Sequence, residues 1–210
     1  MKIVGTGLPR TGTNSLKVAI EQLIEAPCYH MYECIPRADE HAPQWTAIAD
    51  GGSTDWSFLD DFAAIVDWPG SAVWERLVAD FPDAVVVHSV RDDAAQWWKS
   101  VDSTVGQAMR RALAEAPGSA LPDMIRALIA RAGWGTVDDP EAMMTQYDEH
   151  NRRVRATVEP ERLVVINPRD GWAPLCAALG VPVPDEPYPR TNSTEDYEAT
   201  IRAAAQRDDQ

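Results

Sequence analysis

Apolar positions along the chain follow two rhythms. Short runs of β-branched residues stand apart, and between them lie longer stretches whose apolar residues recur every three to four positions, as on one face of a helix. "KIVGTG", from Lys2, reads as a strand; "DAVVVHSV", ending at Val90, is the clearest one, and "RLVVIN", from Arg162, is second. "CYHMY", from Cys28, and "AAIVD", Ala63 to Asp67, are weaker strand signals. The first helical stretch is "TNSLKVAIEQLI", in which Leu16, Ala19, Ile20 and Leu23 share a face. Trp97, Val101, Val105, Ala108 and Ala112 predict one helix after the strongest strand. "PDMIRALIARAGWG", "PEAMMTQYDEHNRRVRATV" and "WAPLCAALG" follow, the last ending in Gly180, a residue suited to a helix C-cap. A proline-rich loop, "VPVPDEPYPRTN", leads to a capped final helix, "NSTEDYEATIRAAAQ".

Strands alternating with helices predict an α/β fold in three layers, a parallel sheet covered by helices on both faces and joined by right-handed crossovers. No repeat, low-complexity tract or boundary interrupts the pattern, so residues 1–210 are expected to form a single domain.

The junction between the first strand and the first helix carries the chemistry. "GLPRTGTN", Gly7 to Asn14, nearly spells the P-loop pattern G-x-x-x-x-G-K-[ST], but Thr13 fills the lysine slot and Asn14 the slot of the magnesium-binding hydroxyl. A strand, a glycine-rich turn and a helix N-terminus still make an anion site from backbone amides. Arg10 adds a permanent charge that can fork onto two oxygens, and Thr11, Thr13 and Ser15 offer hydroxyl donors. Triphosphate chemistry leans on a metal to offset charge. Sulfuryl transfer moves a less charged group, which a guanidinium and amides can serve alone.

Composition narrows the partners. A formal charge of -14 argues against broad nucleic-acid binding, so basic residues that hold an anion should sit in a few special places. No apolar run reaches the ~20 residues of a membrane span. The start runs straight into a strand, and Cys28, Cys34 and Cys176 lack metal-ligand spacing, which together fit a cytoplasmic setting.

Five stretches, "GLPRTGTNSLKVAI", "PCYHMYE", "VDWPGSAVWERL", "VRDDAAQWWKSV" and "DGWAPLCAALGVPVPDEPYPRTN", together resemble the sulfotransferase-like P-loop family, over nearly the whole chain. The resemblance implies a metal-independent enzyme that uses 3′-phosphoadenosine 5′-phosphosulfate (PAPS) as sulfuryl donor to a small-molecule acceptor. It maps Pro9, Arg10, Thr11, Gly12, Thr13, Asn14 and Ser15 onto the loop around the 5′-phosphosulfate, with Arg10 at the bridging oxygen. It maps Arg91 and Ser100 onto the pair that holds the 3′-phosphate, and Arg190 onto a late basic loop closing over that phosphate. The chain departs from the cytosolic enzymes of the family in its Arg91–Ser100 spacing. Ser15 stands where they stack an aromatic on adenine, and Asp67 precedes Trp68-Pro69 where they carry a histidine before Leu-Pro.

An acceptor hydroxyl or amine must lose a proton as sulfur arrives. Three residues are candidates to take it. His30 follows the second strand and has an ordinary pKa near neutrality. Glu33 lies near where tyrosylprotein sulfotransferases keep a catalytic glutamate, and Asp67 ends a short strand; their plainer roles are a solvated loop carboxylate and a helix cap. Of the 8 tryptophans, Trp45, Trp56 and Trp68 fall between strands, where an acceptor pocket or ordinary packing would use them. His88 and Met31 read as structural. Two other functions fit the same loop: an atypical P-loop kinase and a nucleotide-binding module without turnover.

Overall fold

The computed structural model describes residues 1–191; the final helix expected from Asn192 lies outside the described residues. Five strands, β1 (Ile3–Gly5), β2 (Cys28–Tyr29), β3 (Ala64–Ile65), β4 (Val85–Ser89) and β5 (Leu163–Ile166), form one sheet in the order β2-β3-β1-β4-β5. Every pair is parallel, so all five carboxyl ends open on the same edge.

Successive side chains of a strand point to opposite faces, and each face has its own core. Val4, Ile65 and Val86 belong to the larger cluster. It also includes Trp45 and Ile48 of α3 (Ala38–Ala49), Leu77 of α4 (Trp74–Asp80), Trp97 of α5 (Ala94–Asp102), Leu128 of α7 (Ala120–Ala132) and Val154 of α8 (Pro140–Thr157). Ile3, Ala64 and Val87 meet Leu16, Ala19 and Ile20 of α1 (Thr13–Ile24) and Leu175 of α9 (Ala173–Leu179) on the other face. The α/β architecture in three layers, a single domain over the described residues, is the one the sequence predicts.

Two elements differ from expectation. "CYHMY" is extended only at Cys28–Tyr29; His30 then caps α2 (Met31–Cys34), its ring accepting the backbone N–H of Tyr32. The single helix expected through Trp97 and Ala112 is two, α5 and α6 (Val105–Ala114). They part at Thr104, whose backbone leaves the helical region at φ -135, ψ -102, and whose hydroxyl donates to the Ser100 carbonyl. An ungapped apolar stripe survives such a break because both halves pack on the same core.

Candidate active site

The loop between β1 and α1 is pinned from four sides. Gly7 runs so close to the end of β4 that a Cβ there would sit 1.9 Å from Ser89 Oγ. Trp97 Nε1 donates to the Pro9 carbonyl at 2.9 Å, and Arg91 Nε donates to the Arg10 carbonyl at 2.7 Å. Thr11 donates its hydroxyl to the Leu8 carbonyl and lies 2.6 Å from Ser89 Oγ. Gly12 turns the chain into α1 at φ 89, against Pro168. The first amide to bond within α1 is Leu16, to the Gly12 carbonyl at 3.0 Å, and no side chain caps the amides before it. No acidic side chain stands in that first turn, so the positive end of the helix is left for an anion.

Arg10 is buried at the loop's crest with φ 73, and its Nε donates to Ser100 Oγ at 3.1 Å. Burial, and then the nearby Arg10 charge, hold the proton affinity of Arg91 below the usual guanidinium range. Two guanidiniums crowd here in a chain whose formal charge is -14, the local reversal of field that an anion site in an acidic protein demands.

On the sheet's open edge, beside the loop, three more residues converge. Asp67 follows β3 with φ 67, one of three non-glycine residues in the left-handed region among those described; Arg10 is another. Its Oδ1 accepts the Thr13 hydroxyl at 2.9 Å. His30 Nε2 lies 3.5 Å from Asp67 Oδ2 and 3.3 Å from Thr13 Oγ1. Because His30 Nδ1 accepts the Tyr32 amide, the neutral ring carries its proton on Nε2 and faces the carboxylate as a donor. Thr13 therefore gives its proton to Asp67 while His30 points Nε2–H at the Thr13 oxygen, and Asp67 is the member of the trio with lone pairs to spare.

Burial sets the protonation of this cluster. It pushes Asp67 up to about 7, against the lowering effects of the Thr13 donor, the Arg10 charge and the Trp68 amide. It pushes His30 down to about 3, helped by the Lys17 and Arg10 charges. The histidine is neutral and the carboxyl titrates near neutrality, which suits a general base.

An apolar cavity of about 120 Å³ opens against these groups. Part of its lining is polar, at Arg10, Thr13, His30 and Asp67. The rest is apolar and comes from α2, the turn after it, α6 and α7, through residues such as Met31, Ile35, Met109 and Ile125, together with Trp68. A carboxylate, a cationic loop at a helix N-terminus and an apolar pocket thus share one junction.

Several expected roles change. Glu33 is not in the cluster: it pairs with Lys17 at 3.3 Å and Arg37 at 3.1 Å and lines a separate acidic cleft, because α2 turns it outward. Two of the loop hydroxyls give their protons inside the protein, Thr11 to the Leu8 carbonyl and Thr13 to Asp67, and Ser15 Oγ accepts the amide of Thr191. Asn14 Nδ2 donates to the Thr191 carbonyl, so the late loop is stitched to α1 while the Arg190 side chain stays exposed. Ser100 does join the loop, but as a partner of Arg10. The Asp67 side chain caps no helix. Trp45 is core, bonded to Tyr29 at 3.0 Å, and Trp56 bonds Asp80 at 2.8 Å; of the three tryptophans only Trp68 lines the cavity. Met31, read as structural, lines it too, and Ile35, Met109 and Ile125 were not foreseen there. Ile125 lies in the helical stretch "PDMIRALIARAGWG", but nothing in an apolar stripe says which part of it meets a cavity.

The sequence profile of the Sulfotransferase domain family matches residues 2–197. Ava biosynthesis cluster protein M of Aspergillus versicolor is similar at 29% identity over 225 residues, covering 97% of this chain and 85% of that protein. The five-stranded parallel sheet flanked by helices agrees with that match, and the chain belongs to the sulfotransferase domain family.

Proposed function

We propose that the protein transfers the sulfuryl group of PAPS to a hydroxyl or amine of a small, mainly apolar acceptor, in line and without a metal ion. The observation that carries this reading is the Asp67 carboxylate, buried between the anion loop and the apolar cavity and titrating near 7. The acceptor's heteroatom forms a bond to sulfur as the bond from sulfur to the bridging phosphate oxygen breaks, and the acceptor's proton passes to Asp67. Arg10 and the amides at the head of α1 take the negative charge that collects on the leaving oxygen. Arg91 is assigned to the 3′-phosphate, with Arg190 approaching from the late loop.

The residues suit such a donor. The backbone comes close at Gly7 and Gly12, where a side chain would clash with Ser89 and Pro168. The two slots that serve magnesium triphosphates are spent, Thr13 on Asp67 and Asn14 on Thr191, which disfavours a kinase. A relative named for a biosynthesis cluster is in keeping with a small-molecule acceptor.

Calorimetric titration with adenosine 3′,5′-bisphosphate in the presence of a chelator tests the reading, with magnesium ATP as comparison. Chelator-resistant binding of the bisphosphate is expected. Binding of magnesium ATP alone would overturn the reading, and bisphosphate binding without turnover of PAPS across an acceptor panel would make the protein a nucleotide-binding module.

A further inference from the structure

We infer that Thr13 is a positioning residue for the base, its hydroxyl holding the Asp67 carboxylate at the cavity wall from the slot where an ATP-type loop carries lysine. This rests on the reading of Asp67 as the base. A loop threonine at a helix head has an obvious other use, as a donor to the bound anion. The geometry argues for the carboxylate. The Thr13 side chain is 4% exposed and its one proton is given to Asp67 Oδ1 at 2.9 Å. Its oxygen in turn lies 3.3 Å from His30 Nε2, which carries a proton. The chain of donors thus runs from the Tyr32 amide through His30 and Thr13 and ends on Asp67.

The groups that face Asp67 come from four places: Thr13 on α1, Arg10 on the loop, His30 at the turn into α2, and the backbone amide of Trp68 next in the chain. Of these, Thr13 alone sits within the helical turn whose amides meet the anion. Its backbone serves the donor nucleotide while its side chain serves the proton acceptor, so one residue fixes the distance between the two halves of the reaction. A lysine there would reach for phosphate and leave a buried carboxylate with one partner fewer.

The test uses the full chain as wild type, Thr13→Val, which keeps the shape without the hydroxyl, and Thr13→Ser, which keeps the hydroxyl. The Asp67 carboxyl is titrated by carbon NMR, and affinity for adenosine 3′,5′-bisphosphate is measured by calorimetry. Removing a donor to the charged form should raise the Asp67 midpoint in Thr13→Val by roughly one pH unit, while Thr13→Ser stays near wild type. Affinity for the bisphosphate should change by no more than about threefold, since the backbone amide remains. An unchanged midpoint in Thr13→Val overturns the inference, as does a tenfold or greater loss of affinity in that variant with the midpoint unmoved, which would give the hydroxyl to the phosphate. Thr13→Ala replaces Thr13→Val if the valine does not fold. Failure of the wild type to bind the bisphosphate would overturn the proposed donor instead, and the carboxyl titration would still decide the role of Thr13.

Discussion

Arg91 Nε donates to the Arg10 carbonyl over 2.7 Å, so an arginine two residues past the fourth strand holds the backbone of the arginine at the loop's crest. Arg10 keeps a left-handed backbone there, at φ 73. That conformation costs a non-glycine residue roughly 1–2 kcal/mol and persists only where the surroundings impose it. The two guanidiniums also repel, and an anion between them relieves that repulsion. Arg91 therefore does two things, placing a charge and placing its neighbour.

The substitution Arg91→Ala should accordingly weaken a 3′-phosphorylated nucleotide by about ten- to a hundredfold, the worth of a charge-assisted pair of roughly 1.5–3 kcal/mol. The form lacking the 3′-phosphate should also lose affinity, though less, because Arg10 is no longer held. Calorimetry with both nucleotides checks this. Equal losses would take Arg91 away from the 3′-phosphate and leave it a buttress of the loop.

Arg10 itself separates catalysis from strain. The alanine variant should lose at least about a hundredfold in kcat, the usual effect of one missing donor to a developing oxyanion. Product affinity should fall far less, since the amides at the head of α1 remain. Lysine should rescue in part, restoring charge but not the planar fork. Arg10→Gly should be as inactive as Arg10→Ala yet more stable in urea by up to roughly 1 kcal/mol, because glycine accepts a positive φ without cost. Near wild-type turnover by the alanine variant would remove Arg10 from the chemistry.

Much of this site was legible in the sequence, and the limits have physical causes. The loop, Arg10, His30, Asp67 and Arg91 all follow strands, and a parallel sheet must present them on one edge. Patterning could therefore gather them without knowing the strand order. What it could not supply was the direction of each hydroxyl. Thr11, Thr13 and Ser15 look alike as donors, and only the packed neighbours, the Leu8 carbonyl, Asp67 and Thr191, decide that each is turned inward. Glu33 lies away from the cluster for a related reason. A register set by a four-residue helix after His30 points it to Lys17, whereas a longer strand would have left its direction open. The break at Thr104 is invisible to an apolar stripe, and it is α6 beyond that break that lines the cavity.

Gly12 should be among the least replaceable positions. Its φ of 89 disfavours any side chain, and a Cβ would sit 2.2 Å from Pro168 Cγ. Gly12→Ala should destabilise by at least about 2 kcal/mol, combining backbone strain and overpacking. Adding Pro168→Ala should recover the steric part but leave the backbone part. Urea unfolding of the two single variants and the double variant checks this; simple additivity would mean that the residues do not meet.

Two further buried histidines should make the fold acid-sensitive. His88 Nδ1 meets Thr6 Oγ1 at 3.0 Å and His150 Nε2 meets the Thr6 carbonyl at 2.7 Å, their rings 5.8 Å apart. Burial pushes His88 down to about 3 and His150 to about 4. Between those values and the ordinary 6.5 the unfolded chain binds more protons than the folded one. The stability that these two histidines contribute should therefore be full above pH 6.5 and be lost as pH drops toward 4, by up to about 1.4 kcal/mol per unit for each residue. Replacing His88 with Gln should flatten part of that slope in urea unfolding series. A slope unchanged in the variant would assign the acid loss to other groups.

Asp67→Asn should trade activity for stability, in opposite directions and at the same pH. With the carboxyl pushed up to about 7, wild-type kcat should rise as pH passes through about 7 and level off above it, because only the ionised form accepts the proton. The asparagine variant should lose about a hundred- to ten-thousandfold at the plateau and show no such limb. For stability the sign reverses. Folded Asp67 keeps its proton up to about 7 while the unfolded residue releases it near 3.8, so the folded state binds more protons in that window and wild-type stability declines as pH rises through it. Asparagine has no proton to lose and can still accept the Thr13 hydroxyl. The variant should thus match wild type near pH 4 and exceed it at pH 8, by on the order of 2–4 kcal/mol. His30 is buried in both proteins and drops out of the comparison. Paired urea titrations at the two pH values read the difference directly, and an asparagine variant less stable than wild type at pH 8 would mean that the ionised carboxylate is a favourable part of the fold rather than a charge held there for the reaction.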